Sequence, residues 1–125
     1  MLLDTNIFID LLRGYKPAID TFKMVLHGQK ASCITKFELI IGVKDKKEMN
    51  YMFRNLDITN TDFLSVTPEI SEKAEFILRS FYLSHGINIE DSLVAATALV
   101  HDEELVTRNT KHFDFIPNLK LITPY

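Results

Sequence analysis

The chain has 125 residues, of which 46% are hydrophobic and 25% charged, and its formal net charge is −3. These values suit an ordinary globular protein forming one domain over residues 1–125, and they argue against disorder and against holding nucleic acid by bulk positive charge. One cysteine, Cys33, excludes an internal disulfide and a cysteine-rich zinc site; with no basic segment ahead of an apolar N-terminal stretch and no uncharged run near the roughly 20 residues of a membrane span, a soluble cytoplasmic protein is expected.

The run Met1–Leu3 is apolar but too short for a helix, and it breaks at Asp4. Apolar residues then return at Ile7, Phe8, Leu11 and Leu12, the spacing of one helical face. This predicts a strand, an acid and a helix, with Asp4 at the carboxyl end of the strand, where open α/β sheets bind ligands. Asp4 or Thr5 also suits a helix N-cap, so capping is the competing role. Gly14 stops this helix and Pro17 opens a second, with Ile19, Phe22, Val25 and Leu26 on one face and Gly28 at its end.

Lys30–Ile34 reads as a second strand, with Cys33 as a buried small hydrophobe. Thr35-Lys36-Phe37-Glu38 has the capping-box pattern ahead of Leu39, Ile40 and Ile41, which offers Glu38 a structural role as well. Gly42 interrupts that helix before the charged segment Lys44–Glu48, and Met49, Met52, Phe53 and Leu56 form the next amphipathic face. Asp57–Asp62 reads as a turn and Phe63–Val66 as a third strand. Thr67-Pro68-Glu69 is a strong helix start, followed by Ile70, Ala74, Ile77, Leu78 and Phe81 and a stop at Gly86. Ile87–Asp91 leads into Ser92–Val100, apolar nearly all round and therefore packed on both sides. Leu105–Thr107 is a fourth strand and Leu119–Ile122 a fifth, at an edge. Short strands alternating with helices predict an α/β fold, a mostly parallel five-stranded sheet in a three-layer α/β/α arrangement.

In such a sheet every strand leaves at one edge, so Asp4, Glu38, Asp91 and Asn109 are expected to converge there. Three are acids, and like charges held close repel unless a cation sits between them. Mg²⁺ or Mn²⁺ with oxygen ligands resolves that repulsion and supports phosphodiester hydrolysis without a covalent nucleophile. The four glycines lie far apart, which excludes a phosphate loop and a dinucleotide fingerprint, and the four histidines lack zinc-binding spacing.

Taken together, Asp4-Thr5-Asn6, Thr35 with Glu38-Leu39 and Gly42, Asp91 followed by Leu93–Ala98, and Leu105–Asn109 resemble a PIN-domain ribonuclease, most closely the VapC-like toxins of type II toxin–antitoxin systems. The resemblance runs over essentially the whole chain and keeps the family's order and spacing. It implies an Mg²⁺-dependent endoribonuclease with Asp4 and Asp91 as metal ligands, Glu38 completing the catalytic acids, and Thr5, Asn6 and Asn109 in support. It also implies a cognate antitoxin, which binds such toxins across helices in the region of Phe37–Leu56, and a homodimer. The family often carries an acid near Asn109, and many of its toxins have Asp-Phe where this chain has His112-Phe113, so a complete second metal site is in question.

Arg108 and Lys111 follow the fourth strand and are the expected phosphate contacts, while Arg13 and Lys16 are expected farther off. A loop of transfer or ribosomal RNA is the expected target class. The competing functions are a phospho-acceptor signalling domain, which wants paired acids after the first strand where only Asp4 stands, and a catalytically inactive binding module with the same fold.

Overall fold

The computed structural model describes residues 1–24 and 28–125. Val25, Leu26 and His27 lie outside the described residues. Five strands, β1 (Leu2–Leu3), β2 (Lys30–Ser32), β3 (Asp62–Leu64), β4 (Leu105–Val106) and β5 (Leu121–Ile122), pair in the order β3-β2-β1-β4-β5, and every pairing is parallel. Among the described residues six α-helices connect and cover them: α1 (Thr5–Leu12), α2 (Lys16–Met24), α3 (Cys33–Ile41), α4 (Lys46–Thr59), α5 (Pro68–His85) and α6 (Ile89–Val100). This is the expected three-layer α/β/α arrangement, with β5 at an edge.

Neighbouring residues on a strand face opposite sides of the sheet, and the core divides accordingly. Leu2 and Leu105 pack with Ile70, Ala74 and Ile77 of α5 and with the small residues Val94, Ala95, Ala96 and Ala98 of α6. Leu3 and Val106 pack on the other side with Ile7 and Phe8 of α1, Leu39 of α3, and Met52 and Leu56 of α4. The alanines of α6 let it lie close to α5, its most extensive helical neighbour, which explains why it is apolar on nearly every side. Phe8 is fully buried, with its ring edge-on to Phe22 and tilted against Phe63. Removing a ring so enclosed costs about 3–5 kcal/mol.

Two expected boundaries move. The second strand ends at Ser32, whose hydroxyl accepts from the Ile34 amide at 3.1 Å, so α3 begins at Cys33 and Thr35 lies inside it. The capping box over Thr35–Glu38 therefore does not form, and Cys33 is half-buried rather than buried. Likewise α4 runs through Asp57–Thr59 and ends on Asn60 at φ 51°, which leaves β3 to start at Asp62 and to stop at Leu64. The charged segment supplies the start of α4: Asp45 accepts from the Glu48 amide, and the Glu48 carboxylate accepts from the Lys44 amide. As read from the sequence, α5 starts on a Thr67 cap with Pro68 in its first turn and ends on Gly86 at φ 66°.

Candidate active site

The connection from β1 leads toward β2 and β3, whereas the chain enters β4 on the opposite side of β1, so the direction of winding reverses between β1 and β4. Such a switch point opens a crevice at the carboxyl ends of the two strands. The register Leu3↔Val106 places Asp4 and Thr107 side by side at that opening, and the Asp4 amide donates to Val106 O at 2.9 Å.

Asp4 is buried at 7% exposure. Its Oδ1 accepts from the Thr5 amide at 2.8 Å, which makes it the N-cap of α1, and its Oδ2 accepts from Thr107 Oγ1 at 2.8 Å and Asn6 Nδ2 at 3.2 Å. Asp4 is thus the cap read from the sequence, and its carboxylate lies at the crevice as well. The Thr5 hydroxyl donates to Glu38 Oε1 at 2.8 Å and lies 3.2 Å from Thr35 Oγ1, so Glu38, one turn inside α3, turns toward α1 and not toward its own helix start. Asp91 is not a cap either: Asn88 Oδ1 accepts the Asp91 amide at 2.7 Å, and the Asp91 carboxylate stands 3.1 Å from His112 Nδ1.

Glu38 and Asp91 both feel the charge of Asp4, and Glu38 feels that of Asp91 as well. Burial raises the Asp4 carboxyl above its ordinary range, opposed by the bonds from Thr107, Thr5 and Asn6. Glu38 is raised by burial and then by the charges of Asp4 and Asp91, with the Thr5 bond opposing. Asp91 is raised by burial and by Asp4, with His112 opposing. A partly buried group of acids with no lysine or arginine paired to it among the described residues favours a cation. Among the described residues no three acid, imidazole or thiol groups gather tightly enough to ligate one ion together. The donor set nonetheless fits Mg²⁺ or Mn²⁺, which take one or two carboxylates and complete their shell with water. A carboxylate has about four lone-pair sites, so Asp4 with its three donors keeps one for an ion.

The remaining expected residues take different places. Asn6 joins the crevice through both ends of its amide, Nδ2 to Asp4 and Thr107, and Oδ1 accepting from the Arg108 amide at 3.3 Å. Asn109 is exposed, with its backbone amide donating to Thr107 Oγ1 at 3.0 Å. Arg108 points away: its Nη1 donates to Asp10 Oδ2 at 2.7 Å, and its guanidinium lies over the rings of Tyr15 and Tyr125. Lys111 is exposed and has no ion-pair partner among the described residues. Lys16 pairs with Asp20, whereas Arg13, expected farther off, lines the same groove of about 670 Å³ as Glu38, together with Ile9, Leu12, Leu39 and Tyr51.

Two residues of the crevice have no role assigned from the sequence. Thr107 is fully buried and bonds Asp4, Asn6 and Asn109 at once. Its only sequence signal is a hydroxyl residue at the end of an apolar strand. His112, which stands where many of the family's toxins have Asp, sits on a 3₁₀ turn (Thr110–His112) that brings it to Asp91.

Comparison with known proteins agrees with this geometry. A family model described as PIN domain matches residues 1–117. "Ribonuclease VapC19" of Mycobacterium tuberculosis is 34% identical over 95% of this chain and 96% of its own length, and "Ribonuclease VapC" of Rickettsia bellii is 30% identical over 98% and 95%. Among solved structures, a toxin–antitoxin complex from Klebsiella pneumoniae superposes with a TM-score of 0.80 at 30% identity, covering 99% of this chain and 97% of that one. VapBC2 from Rickettsia felis, bound to a promoter DNA fragment, gives 0.79 at 26% identity, covering 97% and 96%. With its sheet order, its acidic crevice and these likenesses in agreement, the chain belongs to the PIN domain family.

Proposed function

We propose that this protein is a metal-dependent endoribonuclease that acts as the toxin of a toxin–antitoxin pair. The observation that carries the reading is the crevice between β1 and β4, where burial raises the proton affinity of Asp4, Glu38 and Asp91, the charge of Asp4 raises the other two further, and none of the three pairs with a lysine or arginine among the described residues. The ribonuclease names of the relatives and the toxin–antitoxin title of a structural neighbour support it.

Asp4 and Asp91 would hold Mg²⁺ or Mn²⁺. When bound, the ion supplies positive charge to the phosphodiester, eases deprotonation of an attacking water and stabilises the leaving oxygen. Glu38 Oε1 is committed to the Thr5 hydroxyl, which leaves Oε2 to accept the water's proton, a task that its raised proton affinity favours. Asn109, exposed beside Thr107, orients a phosphate oxygen by hydrogen bonding, and Lys111 contacts the RNA backbone. Single-stranded loops of transfer or ribosomal RNA are the proposed substrates. The groove between α1, α3 and α4 is proposed to take the antitoxin, and a cytoplasmic homodimer completes the reading. No helix among the described residues is long and apolar enough to cross a membrane.

The test is RNA cleavage by purified, antitoxin-free protein with Mg²⁺ or Mn²⁺, with a chelator, and with Asp91→Asn. Discrete fragments that require metal and vanish with the variant are expected. Undiminished cleavage by Asp91→Asn overturns the assignment, and absence of cleavage together with absence of metal binding identifies an inactive module.

A further inference from the structure

Beside Asp91 a cleft of about 180 Å³ opens between the α5–α6 connection and the 3₁₀ turn. Its lining includes His85, Asn88, Asp91, Lys111, His112 and Phe115. The size admits a single ring-sized group, well below the roughly 300–1,000 Å³ of pockets for larger ligands.

Three features of the lining agree on a class of occupant. The His85 ring stacks on Phe115 at 4.1 Å and 18°, backed by Phe81 at 5.2 Å from Phe115, which makes a braced, flat aromatic platform. His85 is itself exposed, with Phe81 meeting its ring edge-on at 5.8 Å and Ser84 Oγ 2.7 Å from its Nδ1. Lys111, at the rim, carries a charge that no acid among the described residues neutralises, whereas Arg108 on the other flank is engaged by Asp10. A flat aromatic surface next to an unpaired cation is how proteins hold single-stranded nucleic acid, the base stacking and the phosphate meeting the charge. Asp91 lines the cleft too, so an occupant lies next to one of the proposed metal ligands.

We propose that this cleft is a nucleotide subsite, in which one nucleotide of single-stranded RNA flanking the cleaved bond places its phosphate on Lys111 and its base against His85. The inference rests on the ribonuclease reading and adds the path of the strand: over the α5–α6 connection and not over the Asp10–Arg108 flank.

Binding is measured in chelator, where no cleavage occurs, by fluorescence anisotropy across a salt series. The probes are a short labelled single-stranded oligoribonucleotide and an abasic sugar–phosphate strand of equal length. Lys111→Ala is expected to weaken both and to lower the salt slope by about 0.7. His85→Ala is expected to weaken the oligoribonucleotide by at least about fivefold and to leave the abasic strand unchanged. Arg108→Ala is expected to alter neither slope. Binding by Lys111→Ala and His85→Ala equal to that of the unaltered protein overturns the subsite, as does equal loss of both probes by His85→Ala. Metal-dependent cleavage by the unaltered protein alongside such a result removes the subsite alone; absence of cleavage under every metal removes the ribonuclease reading and the subsite with it.

Discussion

Two aspartates of the same α1 region are buried in opposite manners. Asp10 accepts from the Arg108 guanidinium at 2.7 Å and from the Tyr125 hydroxyl at 2.9 Å, and the Tyr15 ring meets Tyr125 edge-on, so the last residue of the chain, α1 and the segment after β4 are tied together. The Tyr125 hydroxyl is pushed well above its ordinary range, first by burial and then by Asp10, and therefore stays a donor. Asp4 has only neutral donors, and its charged neighbours are the acids Glu38 and Asp91 and the imidazole His112. The first arrangement is complete as it stands and holds the fold. The second leaves negative charge unbalanced where the sheet opens, which is a poor way to stabilise a protein and a good way to bind a cation.

The same isosteric change at each place separates the two. Asp91→Asn is expected to lower metal-dependent cleavage by more than about 100-fold, since even residues that merely orient metal ligands cost 10–100-fold, while thermal stability holds or rises. Thr107→Val, which removes the Asp4 donor and keeps the shape, is expected to lower cleavage by about 10–100-fold with metal affinity falling in parallel. Mn²⁺ at about 100 times its dissociation constant is expected to raise unfolding free energy by about 2.7 kcal/mol in the unaltered protein and far less in Asp91→Asn, as read by thermal melts. Asp10→Asn should instead lose about 1–3 kcal/mol in urea denaturation, because it weakens charge-assisted bonds. An equal loss from Asp91→Asn would erase the distinction.

The smallest effect is the pH response in chelator. Asp4, Glu38 and Asp91 titrate higher in the folded chain than their ordinary values of 3.8, 4.5 and 3.8. Each therefore favours folding fully below its ordinary value, and that contribution is lost as pH rises through the folded value. As pH falls toward these ordinary values the unaltered protein should gain stability relative to Asp91→Asn. Parallel stability curves for the two would show that Asp91 carries no such burden.

Much of this was legible in short stretches. Thr67-Pro68 and Gly86 mark α5 because a cap, a proline and a left-handed stop act within one turn. Asp4, Glu38 and Asp91 could be listed as convergent from topology alone, since parallel strands all open at one edge. The start of α3 was misjudged because Ser32 and Thr35 are both good caps; pairing of Ser32 with Leu64 keeps the strand running to Ser32 and gives it the cap. Once Thr35 lies inside the helix, Glu38 loses its capping partner and is left to the crevice.

The order of apolar and polar residues thus determined the fold class, the sequence of strands and helices and the three acids, because each rests on periodicity or on signals a few residues apart. Which hydroxyl steadies Asp4, which imidazole meets Asp91 and which of Arg108 and Lys111 keeps its charge for a ligand depend on the pairing of β1 with β4, about a hundred residues away along the chain. Only tertiary structure decides those, since a register across that distance is chosen by packing both faces of the sheet and not by any local preference.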